Sequence, residues 1–264
     1  MIFTKLIGMF VTQPTMTVAK LVRGEDETST IVFVHGAGGS AGTWMMQLRG
    51  LSDRLRVVAL ELNGHGDTPD REPEDVDGTY LEDIKRIVRE YQKPILAGHS
   101  MGGALAQLYA LKYPDEISGL VLIGTGAKLK VHPNVFDAID SGMDKYLELV
   151  EQFMFSKETD DEVIQASLKE IRQCPRSVIR RDFEMCNNFD IMNEVSQIDL
   201  PTLILVGADD LMTPPKYAKY LHENIPNSEF HVIDNAGHGV MVEQPSELNS
   251  MVMQWTERIL NLSD

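Results

Sequence analysis

The chain has 264 residues, of which 43% are hydrophobic and 24% charged, enough to bury a sizeable core as one large domain with room for an insertion. Its formal net charge of −16 argues against nucleic acid and anionic membrane surfaces as partners, because a phosphate backbone would meet net repulsion. The two cysteines, Cys174 and Cys186, have no CxxC or metal-ligand spacing, so free thiols in a reducing compartment and no metal cofactor are expected.

Met1 to Val11 is apolar, but its longest apolar run, Leu6 to Val11, is shorter than a signal-peptide core and no A-x-A-like site follows. No stretch approaches the ~20 apolar residues of a membrane helix. Residues 1–24 are therefore expected to form two antiparallel edge strands of a cytoplasmic protein. After residue 28, short β-branched runs alternate with longer helical periods, the pattern of a parallel sheet covered by helices. The expected strands are Thr30–Val34, Arg56–Leu62, Pro94–Ala97, Gly119–Ile123, Thr202–Val206 and Glu229–Ile233. Helical faces recur at Leu81, Ile84, Val88 and Tyr91, and at Leu248, Met251, Val252, Trp255 and Ile259.

From Thr125 to Leu200 the strand signals stop, and helices are expected over Val135–Phe155, Asp160–Cys174 and Ser177–Val195. Lying between two consecutive core strands, these residues should cap the carboxyl edge of the sheet. The expected organisation is a core of residues 1–124 and 201–264 with a helical cap of 125–200.

Gly98-His99-Ser100-Met101-Gly102-Gly103 stands between the run Pro94–Ala97 and a helix-like run from Ala104 to Tyr113. Gly-x-Ser-x-Gly in that setting is a nucleophile elbow, a turn so sharp that the residues two before and two after the serine must be small. A serine hydroxyl needs a general base oriented by a carboxylate, and in this architecture the chain order is serine, acid, histidine. Of the late histidines, His222 falls in a helical run and His231 in a strand, whereas His238 sits between Gly237 and Gly239 after the last strand. His238 is the expected base. The acid should follow a strand, and Gly207-Ala208-Asp209-Asp210 offers two carboxylates. Asp210 is favoured because it begins Asp-x-x-x-Pro; Asp209 is the alternative. The expected oxyanion donors are the backbone N–H groups of Met101, which opens the helix after Ser100, and of Ala37 in His35-Gly36-Ala37-Gly38-Gly39-Ser40. Neither Gly-x-Gly-x-x-Gly nor Gly-x-x-x-x-Gly-Lys-[Ser/Thr] is present, so that loop is not expected to hold a nucleotide. Met241, three residues after the base, is a candidate for the substrate pocket.

With His35-Gly36, Gly64-His65-Gly66, the Ser100 hexapeptide, Asp210 and His238 in that order, the chain resembles a cap-bearing α/β-hydrolase over nearly its whole length. The resemblance implies an eight-stranded, mostly parallel sheet, a Ser100–Asp210–His238 triad, and an acyl pocket shaped by the cap and the loop around Trp44. It departs from the family at Glu61-Leu62-Asn63, where relatives commonly carry Asp and Pro, in a loop expected to lie away from the chemistry. Relatives that open epoxides or displace halide use aspartate at the elbow, so serine implies acyl transfer. A carboxylesterase acting on small to medium apolar esters is the expected activity, as monomer or homodimer. Thioesterase, lactonase, acyltransferase and C–C hydrolase are enzymatic alternatives, and a non-catalytic small-molecule receptor is the alternative of another class.

Overall fold

Short β-branched runs become strands and the longer periodic runs become helices in the computed structural model, which describes residues 17–24 and 27–260. In chain order the strands are β1 (Lys20–Arg23), β2 (Thr30–Val34), β3 (Arg56–Leu60), β4 (Ile95–His99), β5 (Gly119–Ile123), β6 (Thr202–Gly207) and β7 (Ser228–Ile233). The helices are α1 (Met45–Gly50), α2 (Val76–Val88), α3 (Met101–Lys112), α4 (Pro133–Ser141), α5 (Met143–Met154), α6 (Asp161–Ile171), α7 (Arg176–Asn188), α8 (Pro215–Asn224), α9 (Val240–Glu243) and α10 (Pro245–Leu260). The described strands form one sheet in the order β1-β3-β2-β4-β5-β6-β7. β1 runs antiparallel to β3, with Lys20 opposite Leu60, and every other pairing is parallel. Seven strands are thus described where eight were expected. β1 is one of the two expected edge strands; the other, with the apolar run Leu6 to Val11, lies outside the described residues.

β2, β4, β5 and β6 are buried along their whole length, as sheets covered on both faces require. One face packs Val32, Val34 and Leu96 against Ile84, Leu105 and Leu221, and the other packs Ile31, Phe33 and Ala97 against Leu48, Val252 and Trp255. Within the described residues no helix is long and apolar enough to cross a membrane.

The segment between β5 and β6 is helical, with boundaries that differ from the expected ones; α6 ends at Ile171 rather than Cys174. The helix expected over Val135–Phe155 is two, because Gly142 takes φ +134°. Its N–H closes α4 on Ala138 and Ile139, and its carbonyl opens α5 by accepting from Tyr146. α7 ends at Asn188 rather than Val195, because the chain turns extended there: Ile191 N–H donates to Ala127 O at 2.8 Å, and Lys128 pairs with Asp190 in an isolated bridge. Ile139, Leu147, Val150, Ile171, Ile179 and Phe183 form a separate apolar cluster among these helices, and Ala37 packs against it.

Polar side chains join these helices to the sheet loops. Asp182 on α7, fully buried, accepts from Gly38 N–H at 2.9 Å, from the Tyr80 hydroxyl of α2 at 2.6 Å and from His65 Nε2 at 2.8 Å. His65 Nδ1 lies 3.1 Å from the Asn63 carbonyl, so both ring nitrogens face acceptors and the ring carries two protons. The loop of residues 61–66, expected away from the chemistry, is therefore tied through Asp182 to the loop after β2, and the His65 ring lies 4.6 Å from that of His35.

Burial by itself would lower the His65 pKa, but the Asp182 carboxylate outweighs it and raises the imidazole to about 10. Burial opposes the Asp182 charge too, yet His65, Tyr80 and Gly38 hold that carboxyl below its usual value. Buried neutral His35, the Cys174 thiol, and Arg181 with its partner Asp70 complete the titratable surroundings. A raised imidazolium stabilises the fold fully below its unfolded pKa of 6.5, and that stability is lost as pH rises through about 10. Breaking a buried pair costs about 3 kcal/mol. Thermal melts of wild type and His65→Gln should therefore differ by about that much at pH 6, and the gap should shrink as pH approaches 10.

Candidate active site

The strand order reverses between β2 and β4: the chain moves outward from β2 to β3, then crosses back to β4 on the other side. Loops leaving the carboxyl ends of two such strands diverge and leave a crevice, the place where open α/β sheets bind ligands. Ser100 follows β4 and Ala37 follows β2, so the topology itself brings them to that crevice.

Ser100 sits between β4 and α3 with φ +53° and ψ −116°, a backbone conformation a side-chain-bearing residue adopts only under constraint. Its N–H donates to Ile123 O at 3.0 Å, and its carbonyl accepts from Ala104 N–H at 3.1 Å and the Thr125 hydroxyl at 2.9 Å. Glycine is required on both sides. A Cβ at Gly98 would stand 2.2 Å from Gly102 O, and one at Gly102 would stand 2.3 Å from Val34 O.

His238 lies in the turn after β7 and is 3% exposed, and Asp210, in the turn after β6, is 2% exposed. His238 Nδ1 is 2.9 Å from Asp210 Oδ2 and 3.2 Å from Thr213 Oγ1. A carboxylate facing Nδ1 places the ring proton there and leaves Nε2 as the basic nitrogen. Asp210 also accepts from the N–H groups of Met212 and Thr213, at 2.9 and 2.7 Å, and from the Thr213 hydroxyl at 2.8 Å. Burial works against its charge, but His238 and Thr213 prevail and hold the carboxyl below the usual range. Asp209 is exposed and accepts instead from the Ser156 hydroxyl at 2.6 Å.

His99 joins the two halves of the site. Its ring centroid is 4.5 Å from that of His238, and its Nε2 donates to the His238 carbonyl at 2.9 Å. Burial lowers it to about 3, so it is neutral and acts as a donor only through that one nitrogen. Neither His99 nor Thr213 was among the site residues expected from the sequence. The second was legible as a hydroxyl inside Asp-x-x-x-Pro.

Among the described residues, the Ser100 hydroxyl has no hydrogen-bond partner, and the N–H groups of Met101 and Ala37 have no acceptor. Catalytic contacts are often long in a free enzyme and tighten with substrate bound. Trp44 and Met241 are fully buried in the apolar cluster that also holds Phe33 and Leu48, and the Trp44 ring lies 4.5 Å from Phe33. Both pack the core beneath the sheet. At the site loops, Ile179 comes within 3.1 Å of the Gly38 Cβ position and Phe155 within 3.3 Å of that of Gly239.

The sequence profile of the alpha/beta hydrolase family matches residues 31–250. The chain is 28% identical over 248 residues to a protein named as a carbamate hydrolase, RutD, of Agrobacterium fabrum, covering 88% of this chain and 95% of that one. It is 24% identical over 261 residues to the pimeloyl-acyl-carrier-protein methyl ester esterase of Vibrio cholerae, covering 92% of this chain and all of that one, 100%. The solved structure of a thermophilic esterase matches with a TM-score of 0.82 and 30% identity, over 92% of this chain and 94% of that one. With a family match across most of its length and a fold shared with that esterase, the chain belongs to the alpha/beta hydrolase family.

Proposed function

We propose that this chain is a serine carboxylesterase acting on small to medium apolar esters. The observation that carries the reading is the constrained Ser100 at the crevice together with the buried His238–Asp210 pair, whose basic nitrogen is left free. Ser100 Oγ attacks the ester carbonyl while His238 Nε2 takes its proton. The N–H groups of Met101 and Ala37 receive the oxyanion of the tetrahedral intermediate. As that intermediate collapses, the proton passes from His238 to the departing alcohol and leaves the acyl group on Ser100. Water then attacks the acyl-enzyme, giving a proton to His238, and the second collapse returns it to Ser100 with release of the acid. Asp210 keeps the imidazole in the productive tautomer throughout.

The helices between β5 and β6 serve as the cap in this reading, since Ile179 and Phe155 bring apolar surface to the loops that bear Ala37 and His238. Named activities of the relatives, on carbamate and methyl ester bonds, fall within the same acyl chemistry. A cytoplasmic setting goes with the reading, supported by two buried free thiols.

Initial rates on aryl esters from acetate to palmitate test the proposal. Ser100→Ala should lower kcat on the order of 10^5-fold or more, with folding intact. Wild-type protein that turns over no ester would overturn the esterase reading, and tight binding without turnover would point to a receptor. The neighbouring aspartates should separate cleanly. Asp210→Asn should lose roughly 10^4-fold in kcat by releasing the imidazole tautomer. Asp209→Asn should stay within about tenfold, because its carboxylate is turned away from the imidazole and holds one side-chain hydrogen bond, to Ser156, of about 1 kcal/mol. Equal, mild losses from both would remove Asp210 from the triad.

A further inference from the structure

The loop after β2 is anchored at several points. Leu62 N–H donates to His35 Nε2 at 3.2 Å, and Gly39 N–H closes a turn on Gly36 O at 3.1 Å. Inside that turn Gly38 has φ +66°, the value of the third position of a type II turn, and its N–H donates to Asp182 Oδ2. Beyond it the Ser40 hydroxyl donates to Glu170 of α6. Ala37, the second residue of the turn, keeps an N–H with no acceptor among the described residues. Asp182, itself held by His65 and Tyr80, anchors the middle of this turn, and without that hydrogen bond the whole Gly36–Gly39 segment, including the Gly36–Ala37 peptide that carries the Ala37 N–H, is free to shift.

We propose that Asp182 is a positioning residue for the oxyanion hole: by holding Gly38 N–H it fixes the Gly36–Gly39 turn, and so the aim of the Ala37 N–H. The aim then depends on α7, and with it on the proposed cap, being seated against the sheet. Asp182 acts through the backbone and touches no reacting atom. This inference rests on the serine-esterase reading, because only there does the direction of the Ala37 N–H matter.

The test compares full-length wild type, Asp182→Ala and Asp182→Asn on one aryl ester, alongside inhibition by phenylboronic acid, whose adduct with a serine is a tetrahedral anion. Asp182→Ala should lower kcat about tenfold to hundredfold, as expected when an oxyanion donor is displaced and not deleted, with KM within about threefold. Phenylboronic acid should weaken by the same factor as kcat/KM. Asp182→Asn, whose amide oxygen still accepts from Gly38, should recover most of the loss. If Asp182→Ala does not fold, because it leaves His65 as an unpaired buried cation, the double variant with His65→Leu removes that charge and should show the same split. Unchanged kcat in a folded variant, loss of kcat without loss of boronate affinity, or an Asn variant no better than Ala would each overturn the assignment. An inactive Ser100→Ala beside an unaffected Asp182→Ala would sink this inference alone, whereas an active Ser100→Ala would sink the esterase reading beneath it.

Discussion

Everything at the site depends on how closely the backbone at the end of β4 can approach its neighbours. Gly98 lies against Gly102, and Gly102 lies against the carbonyl of Val34 at the end of β2, with no room for a methyl group at either. That contact holds the β4–α3 turn in the conformation that lifts Ser100 out of the strand, and it keeps the turn beside the loop after β2. The strained φ of Ser100 is one consequence, maintained by backbone hydrogen bonds to Ile123 and Ala104. The shared crevice of Ser100 and Ala37 is another.

Four histidines are buried around this crevice, and their hydrogen-bond partners tell them apart. His35 donates from Nδ1 to Gly36 O and accepts at Nε2 from Leu62, which requires a neutral ring, and burial lowers it to about 3. His99 is likewise neutral and spends its proton on the His238 carbonyl. His65 faces acceptors on both sides and is the charged one. His238 alone pairs a carboxylate at Nδ1 with an Nε2 that has no partner among the described residues. Hydrogen-bond partners, and not burial, distinguish the proposed base from its neighbours, since all four rings are nearly inaccessible.

The inner strands were readable because both faces of the sheet are covered there, so they are continuous apolar runs, and Thr30–Val34 and Gly119–Ile123 match to the residue. The positions of Ser100, Asp210 and His238 were readable because turn chemistry at strand ends is local: glycine around the serine and histidine, and Asp-x-x-x-Pro after β6. Less local features were hidden. Gly142 divides a helix whose apolar periodicity runs through it, because the interruption lies in φ and not in the pattern. Asp182 is one of two acids on α7, beside Glu184. Nothing within α7 signals that Gly38, His65 and Tyr80, all more than 100 positions away, converge on it.

Those long-range contacts bear on how the helices between β5 and β6 can work. They grip the loop after β2 through Asp182 and Glu170, and they grip the loop after β7 as well. Met154 O accepts from His238 N–H at 2.7 Å and Gly239 N–H at 3.2 Å. Glu243, in turn, accepts from Ser156 N–H at 2.8 Å and Gly237 N–H at 3.0 Å. A substrate that shifts α5 or α7 therefore pulls on the backbone of the proposed base or of the proposed oxyanion loop. Apolar contacts alone would let these helices slide, because they carry no direction, whereas hydrogen bonds to backbone N–H groups transmit displacement. In the proposed reading, the surface that would select an acyl group and the groups that would act on it are one mechanical unit.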